Sequence, residues 1–322
     1  MPNFPSLEIK RYLTDFILPE PNSHKGQNGK LLIIGGSDLF HAASRWSLDI
    51  ASKFVDMVFY SSIPSNNQLV QEAKGKFWNG IVIDRDDLES YLKEADCVLI
   101  GPGMTRERDT KELVDALLKK YPEKKWVIDA GALQMIDVSL LNKNCIITPH
   151  RQEFLNLKER VEEMLQQDLQ KYKRKVLNRK SEVGWTLNGL NDEYLLLSLE
   201  IQGATIVRKG IVDVIARQDP VCLERGHHTL HVQEELELIE GGNAGMTKGG
   251  TGDVLAGLIA ALYCKHSAFT AAVLGSYFNK KAGDDLYKEV GPNFNSSDLV
   301  NQIPKTIWNE LQTSHAGGSI LR

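Results

Sequence analysis

The sequence predicts an α/β fold: a mostly parallel central sheet with helices on both faces, a three-layer αβα sandwich. Three observations carry that expectation. Seven short apolar or β-branched runs lie between residues 31 and 207, each of strand length. Segments with helical periodicity fall between many of them, and such alternation builds parallel sheets covered on both sides. Four of the runs are followed at once by small or polar turns, as they would be where a ligand binds beyond the carboxyl ends of the strands.

In chain order, the first strand is Leu31–Ile34, followed by Gly35-Gly36-Ser37 and a helix over Ala42–Phe54. Met57–Tyr60 and Ile81–Ile83 come next. Cys97–Ile100 ends in Gly101-Pro102-Gly103 and precedes a helix over Lys111–Lys120. Trp126–Ile128 leads into Asp129-Ala130-Gly131, and Cys145–Ile147 into Thr148-Pro149-His150. These four turns are expected along one rim. Asn156–Ser181 is strongly charged and amphipathic, which reads as a solvated surface helix or as an oligomer contact. After a last strand, Thr205–Val207, the polar stretch 217–240 holds His227, His228 and His231 without carboxylate or cysteine spacing for a metal site. It reads as an exposed hairpin or loop, the alternating LHVQEELELI suiting a strand. One compact domain over residues 1–322 is expected, with surface insertions near 156–190 and 217–240.

Composition narrows the function classes. The chain has 322 residues, 42% hydrophobic and 25% charged, enough for a large core and too apolar for global disorder. A net charge of −4 argues against a nucleic-acid partner. Cysteines 97, 145, 222 and 264 contain no C-x-x-C pair, so no disulfide framework is expected and a reducing cytoplasm fits. No basic region followed by an apolar stretch marks a leader at the N-terminus, and no run approaches a membrane span of about 18 residues.

The most informative stretch is GGNAGMTKGGTGDVLAGLIAALY, residues 241–263. Its glycines, Asn and Thr give way at Val254 to an apolar helix-forming run, so a loop feeds a helix whose first turn holds Gly252 and Asp253. Unpaired N–H groups and the dipole at such a start attract phosphate, and glycine lets the backbone approach it closely. A carboxylate there would repel phosphate. Asp253 either caps the helix and complements its dipole or takes a proton from an attacking hydroxyl, help worth about 10²–10⁴ in rate. No G-K-[ST] follows the glycines, which excludes a Walker loop.

GGTGD before an apolar helix resembles the ribokinase-like superfamily, and a wider set of motifs resembles the ADP/ATP-dependent NAD(P)H-hydrate dehydratases. These are HKGQNGKLLIIGGS (24–37), VLIGPGM (98–104), VIDAGAL (127–133), ITPHRQEF (147–154), RKG (208–210), NAGMTKGGTGDVLAG (243–257) and SSDLVNQIP (296–304), spanning nearly the whole chain. The resemblance implies a ribokinase-like fold, NADHX and NADPHX as substrates, ADP or ATP as phosphoryl donor with Mg²⁺, and no protein ligand set for a metal. It implies Asp253 as base, with Gly250 and Gly252 stabilising the transferring phosphoryl group. Nucleotide contacts fall on Lys209, Gly210, Asn243, Gly245, Met246, Thr247, Gly249, Gly250, Thr251 and Gly252; substrate contacts fall on Ala43, Gly103, His150 and Asp253. Relatives commonly assemble, so a homo-oligomer is allowed, whereas residues 1–23 leave no room for the epimerase domain that some relatives carry upstream.

Simpler roles compete. Ala43 suits a helix core, Gly103 a turn, His150 a structural hydrogen bond, and Lys209 a solvated surface. The chain also departs from the family pattern: Ala42-Ala43-Ser44 stands for Gly-Ala-Pro, Gly131 for Asp, Gln152 for Gly and Ala244 for Pro. A vitamin-type alcohol kinase and a non-catalytic nucleotide-binding relative therefore stay open beside the dehydratase.

Overall fold

The computed structural model describes residues 7–77, 79–173, 192–218 and 234–315. Nine strands form one sheet in the order β3-β2-β1-β4-β5-β6-β7-β8-β9. They are β1 (Lys30–Ile34), β2 (Met57–Ser61), β3 (Ile81–Val82), β4 (Cys97–Ile100), β5 (Lys125–Ile128), β6 (Cys145–Ile147), β7 (Thr205–Arg208), β8 (Asp213–Gln218) and β9 (Glu234–Ile239). All pairings from β3 to β7 are parallel, while β8 and β9 add an antiparallel edge. The seven expected strands match to within one residue at each end.

Alternation along the strands sorts the core into two clusters. Leu31, Ile33, Cys97, Leu99, Val127 and Val207 face α2 (His41–Ala51), α9 (Thr251–Tyr263), α10 (Ala268–Val290) and α11 (Ser296–His315). Their neighbours Leu32, Ile34, Val98, Ile100, Trp126 and Ile147 face α4 (Leu88–Glu94), α5 (Arg108–Lys120), α6 (Ala130–Met135), α7 (Arg151–Lys173) and α8 (Asp192–Glu200). The remaining helices are α1 (Leu7–Thr14) and α3 (Pro64–Glu72). Helices thus cover both faces of the sheet, the expected three layers.

Two expectations change. β8 was not foreseen, because DVIARQ sets buried Asp213 and Gln218 in the strand, and their partners come from distant sequence: Ser276 Oγ donates to Asp213 Oδ2 (2.6 Å), and Gln218 N donates to Ser198 Oγ (2.9 Å). The charged 156–181 stretch is not wholly solvated either, since Leu157 and Val161 of α7 are buried in the second cluster. His227, His228, His231, Cys222 and much of the stretches near 156–190 and 217–240 lie outside the described residues. Cys97, Cys145 and Cys264 are free thiols. No helix among the described residues is long and apolar enough to cross a membrane.

The sheet's strand order reverses between β1 and β4, and Gly36 N donates to Pro102 O (2.7 Å) across that point. Above it lies α9, pressed onto α2. A Cβ on Gly257 would meet Ser47 Cα and Ile50 Cγ2, both at 2.7 Å. Gly257→Ala should therefore lower stability by about 1–3 kcal/mol, read as a drop in Tm. Gly75→Ala, where nothing lies within 4 Å, should leave Tm unchanged; equal Tm values for the two variants would refute this account of the α2–α9 contact.

Candidate active site

Gly250 caps α9 in the left-handed region, at φ +96°, beside the Trp46 ring; a Cβ there would meet Trp46 Cε3 at 2.3 Å. The loop before it is anchored from both sides. Ser296 Oγ donates to Gly249 O (2.8 Å), Thr251 Oγ1 to Met246 O (2.8 Å), and Lys248 Nζ to Pro292 O (2.5 Å) and Phe294 O. Asn243 turns its own segment by accepting from Gly245 N (3.0 Å), while its Nδ2 donates to Asp284 Oδ1 (3.0 Å). The helix start is thus presented by a loop with fixed ends.

On one side of it, Asp253 is partly exposed and its carbonyl accepts from Ser47 Oγ (2.8 Å). The side chain enters a charged cluster built from the ends of β5, β6 and β7. Asp129, 2% exposed, accepts from Thr148 Oγ1 (2.7 Å) and from Lys209 Nζ (2.9 Å). Ala130 after it holds φ at +46°, a strained turn of the kind that persists only where surroundings enforce it. Lys209 is fixed by a bridge to His150 and by N–H donation to Pro149 O (2.8 Å). Glu153 lies buried beyond, accepting from His150 N (2.9 Å) and Gln134 Nε2 (2.7 Å).

These charges set the proton affinity of Asp253. Burial pushes its carboxyl up to about 7 and Asp129 adds to the rise, while Lys209 opposes it. Burial by itself would lower Lys209, yet Asp129 and Glu153 hold its ammonium above the ordinary value. A carboxylate that takes up its proton near neutrality beside a fixed cation suits a general base.

On the other side of the helix start lies a cavity of about 490 Å³. Lys209, Gly210, Asn243, Met246, Thr247, Thr251 and Gly252, all expected to touch nucleotide, line it. Gly245, Gly249 and Gly250 stand off its wall: Gly245 abuts Phe294, Gly250 abuts Trp46, and Gly249 faces open space. Of the expected substrate residues, Gly103 and Ala43 abut each other, a Cβ on Gly103 falling 3.1 Å from Ala43 Cβ. His150 is exposed at the start of α7, where Nδ1 accepts from Gln152 N (3.1 Å) and Glu153 N (3.3 Å), leaving Nε2 as its donor. At the departure Gly131, a Cβ would meet Met104 O at 2.2 Å, so this backbone excludes the larger residue of the family pattern.

Sequence reasoning missed Asp129 and Glu153 as site residues. An acid directly after a buried strand was a usable signal for the first. It also missed Lys280, 6% exposed, whose Nζ donates to Gly210 O (2.9 Å), Ile211 O (2.9 Å) and Gly241 O (3.1 Å), 3.4 Å from Asp213 Oδ1. Nothing in SYFNKKAG marks that lysine as buried, because its partners arrive from other segments.

The sequence profile of the NAD(P)H-hydrate dehydratase family matches residues 31–185 and 194–305. The bifunctional NAD(P)H-hydrate repair enzyme of Methanocaldococcus jannaschii is 34% identical over 301 residues, covering 89% of this chain and 50% of that protein. The chain spans about half the length of several such archaeal relatives. The ADP-dependent (S)-NAD(P)H-hydrate dehydratase of Nitrosopumilus maritimus is 28% identical, covering 87% of this chain and 89% of that protein. Among solved structures, a ribokinase-like superfamily protein from Enterococcus faecalis superposes with TM-score 0.70 at 19% identity, covering 93% of this chain and 94% of that one. The ADP/ATP-dependent NAD(P)H-hydrate dehydratase of Bacillus subtilis, co-crystallised with ATP and Mg²⁺, gives TM-score 0.64 at 19% identity over 94% of this chain and 97% of that one. These likenesses establish the ribokinase-like fold.

A carboxyl raised from 3.8 to about 7 in the folded state stabilises relative to the unfolded chain below pH 3.8, and that contribution is lost as pH rises through about 7. Asp253→Asn, which cannot ionise, should then raise stability by about 2–4 kcal/mol near pH 8 and bring no gain near pH 4. Thermal melts at the two pH values check this; no gain near pH 8 contradicts the burial argument.

Proposed function

The chain belongs to the NAD(P)H-hydrate dehydratase family, and from that premise we propose that it converts NADHX and NADPHX back to NADH and NADPH, with ADP or ATP as phosphoryl donor and Mg²⁺ as the donor's counter-ion. The observation that carries this reading is Asp253 at the mouth of α9, beside a fixed cation–carboxylate pair whose Lys209 also lines the cavity behind the glycine loop. The names of relatives in two groups, ATP-dependent in Aedes aegypti and ADP-dependent in Nitrosopumilus maritimus, support both donors.

The residues fit a nucleotide. Gly249 has nothing within 4 Å of where a Cβ would stand, and Gly252 only Lys209 Nζ at 3.6 Å, so side chains at either position would fill the cradle. Lys209, Gly210, Asn243, Met246, Thr247 and Thr251 would hold the nucleotide from the cavity wall. Mg²⁺ would accompany the phosphates and neutralise their charge. The nucleotide supplies the phosphoryl group that converts the substrate's ring hydroxyl into a leaving group.

The chain's own part is proton transfer and charge placement. Asp253 would accept the hydroxyl proton as that oxygen bonds to phosphorus and the donor's terminal P–O bond breaks, its electron pair leaving with the shortened nucleotide. Backbone N–H groups at Gly250 and Gly252 and the helix dipole favour the negative charge on the transferring group, where a fixed donor is worth about 3–4 kcal/mol. Lys209 is paired with Asp129, so Asp253 is the carboxylate left to exchange its proton. The C–O bond then breaks with its electron pair going to the departing phosphate, and loss of a ring proton restores the double bond. His150, Ala43 and Gly103 border the rim where the hydrate would lie.

Incubation with hydrated NADH plus ADP or ATP should restore the absorbance of reduced nicotinamide. No recovery with either nucleotide sinks this reading, and a stable phosphorylated product would make the protein a small-molecule kinase instead. Wild-type kcat/KM should rise with pH and level off above about 7. Asp253→Asn should cut turnover by at least about 10²–10⁴-fold while ADP or ATP still raises Tm; near-normal turnover would remove Asp253 from the base role.

A further inference from the structure

A second cleft, of about 190 Å³, shares no lining residue with the cavity behind the glycine loop. Its floor is Ala261 and Leu262, at the far end of α9 from Asp253. Leu262 stands nine residues past Asp253, about 14 Å along the helix. One wall is α11, through Ile307, Trp308 and Leu311, and the other is the segment 16–19 that follows α1. That segment is pinned at Ile17, whose N–H donates to His266 Nε2 (3.0 Å) and whose carbonyl accepts from Lys265 Nζ (3.1 Å). Phe16 packs on the His266 ring, with centroids 5.5 Å apart. The folded chain itself therefore holds the cleft open.

Size and charge limit what can fill it. Larger organic ligands occupy roughly 300–1,000 Å³, which excludes a nucleotide. An apolar cavity of about 150 Å³ takes a benzene-sized guest, so by proportion this cleft takes roughly eight carbons. Among the described residues, every lining side chain is apolar or aromatic except Lys53 and Lys265. No carboxylate lines it, and the acids these lysines sense are committed elsewhere. Asp49 pairs with Arg45 at 2.6 Å, and Asp56 accepts from Gly26 N (2.7 Å) and Asn28 N (3.0 Å). Burial lowers the proton affinity of Lys265, which an anion beside it would restore. Ile17, Leu18 and Trp308 are 45%, 39% and 46% exposed around one opening, and such grouping of large apolar side chains marks a binding surface.

We propose that this cleft binds an aliphatic carboxylate of about eight carbons, its chain against Leu262, Ile307 and Leu311 and its carboxylate at the ammonium groups of Lys53 and Lys265. Two cations without a lining acid select a carboxylate over an amine or an alcohol. Walls without other polar side chains select an alkyl chain over a sugar or a peptide backbone, whose polar groups would go unmet there. The assignment is independent of the reaction proposed above, because it uses none of the residues placed at that site.

The test titrates octanoate calorimetrically into the full chain, beside hexanoate and octylamine, with and without ATP and Mg²⁺. Octanoate should bind at least about tenfold more tightly than octylamine. It should bind about fifteenfold more tightly than hexanoate, at about fourfold for each buried methylene. ATP should leave its affinity unchanged. Lys53→Glu, at an exposed position, should weaken octanoate at least about fivefold. Octanoate should also change the tryptophan emission of wild type, and Trp308→Phe should abolish that change. No octanoate binding by wild type, equal affinity for octylamine, or displacement by ATP overturns the assignment, and none of these results needs a variant to fold. An emission change that persists in Trp308→Phe places the ligand elsewhere and overturns it too. Self-association of wild type that Lys53→Glu abolishes would give the cleft to a second copy of this chain instead.

Discussion

The ion pair between Lys209 and Asp129 is the contact on which the site's arrangement depends. Two charges leave water to form it, and only their closeness, with the added donor Thr148, offsets that desolvation. Removing one partner would strand the other in a site walled by strand ends. The pair also joins the two halves of the site. Lys209 lines the cavity on one side and neutralises a carboxylate next to Asp253 on the other, so the β7 end carries both the nucleotide wall and the balance of charge around the base.

A second anchor sits deeper. Lys280 gathers the carbonyls of Gly210, Ile211 and Gly241, tying the turn after β7 to the turn after β9. A buried ammonium with three acceptors and a carboxylate at its edge holds two loops that no strand pairing connects. The cavity keeps its width because those loops cannot separate without exposing that charge to an unmet environment. Rigidity there complements the loop at 243–250, whose ends are tied to α10 and α11 through Asp284 and Ser296.

The fold was legible where burial and local chemistry agree. Leu31–Ile34, Cys97–Ile100 and Cys145–Ile147 are continuous apolar runs because the strands are covered on both faces, and their glycine, proline or acidic turns mark the rim. The helix start at Thr251 was readable from the change in composition at Val254, and with it Asp253. What remained hidden shares one physical property: polar groups buried against partners far away in sequence. Asp213 and Gln218 disguise β8 in this way, Lys280 reads as an ordinary helix-surface lysine, and Glu153 as a first-turn acid of α7. Only the Lys209–Asp129 contact reveals that Lys209 is not solvated, since the two residues lie 80 positions apart.

Trp46 adjoins Gly250 on one edge, and its Nε1 donates to Ser297 Oγ (3.3 Å). The indole therefore bridges α2, the phosphate loop and the start of α11, three segments that meet at the mouth of the site. Any rearrangement of that loop on ligand entry alters the polarity and packing around this ring. Among the tryptophans of the described residues, Trp46 is the one placed so that its emission would report a change in that loop.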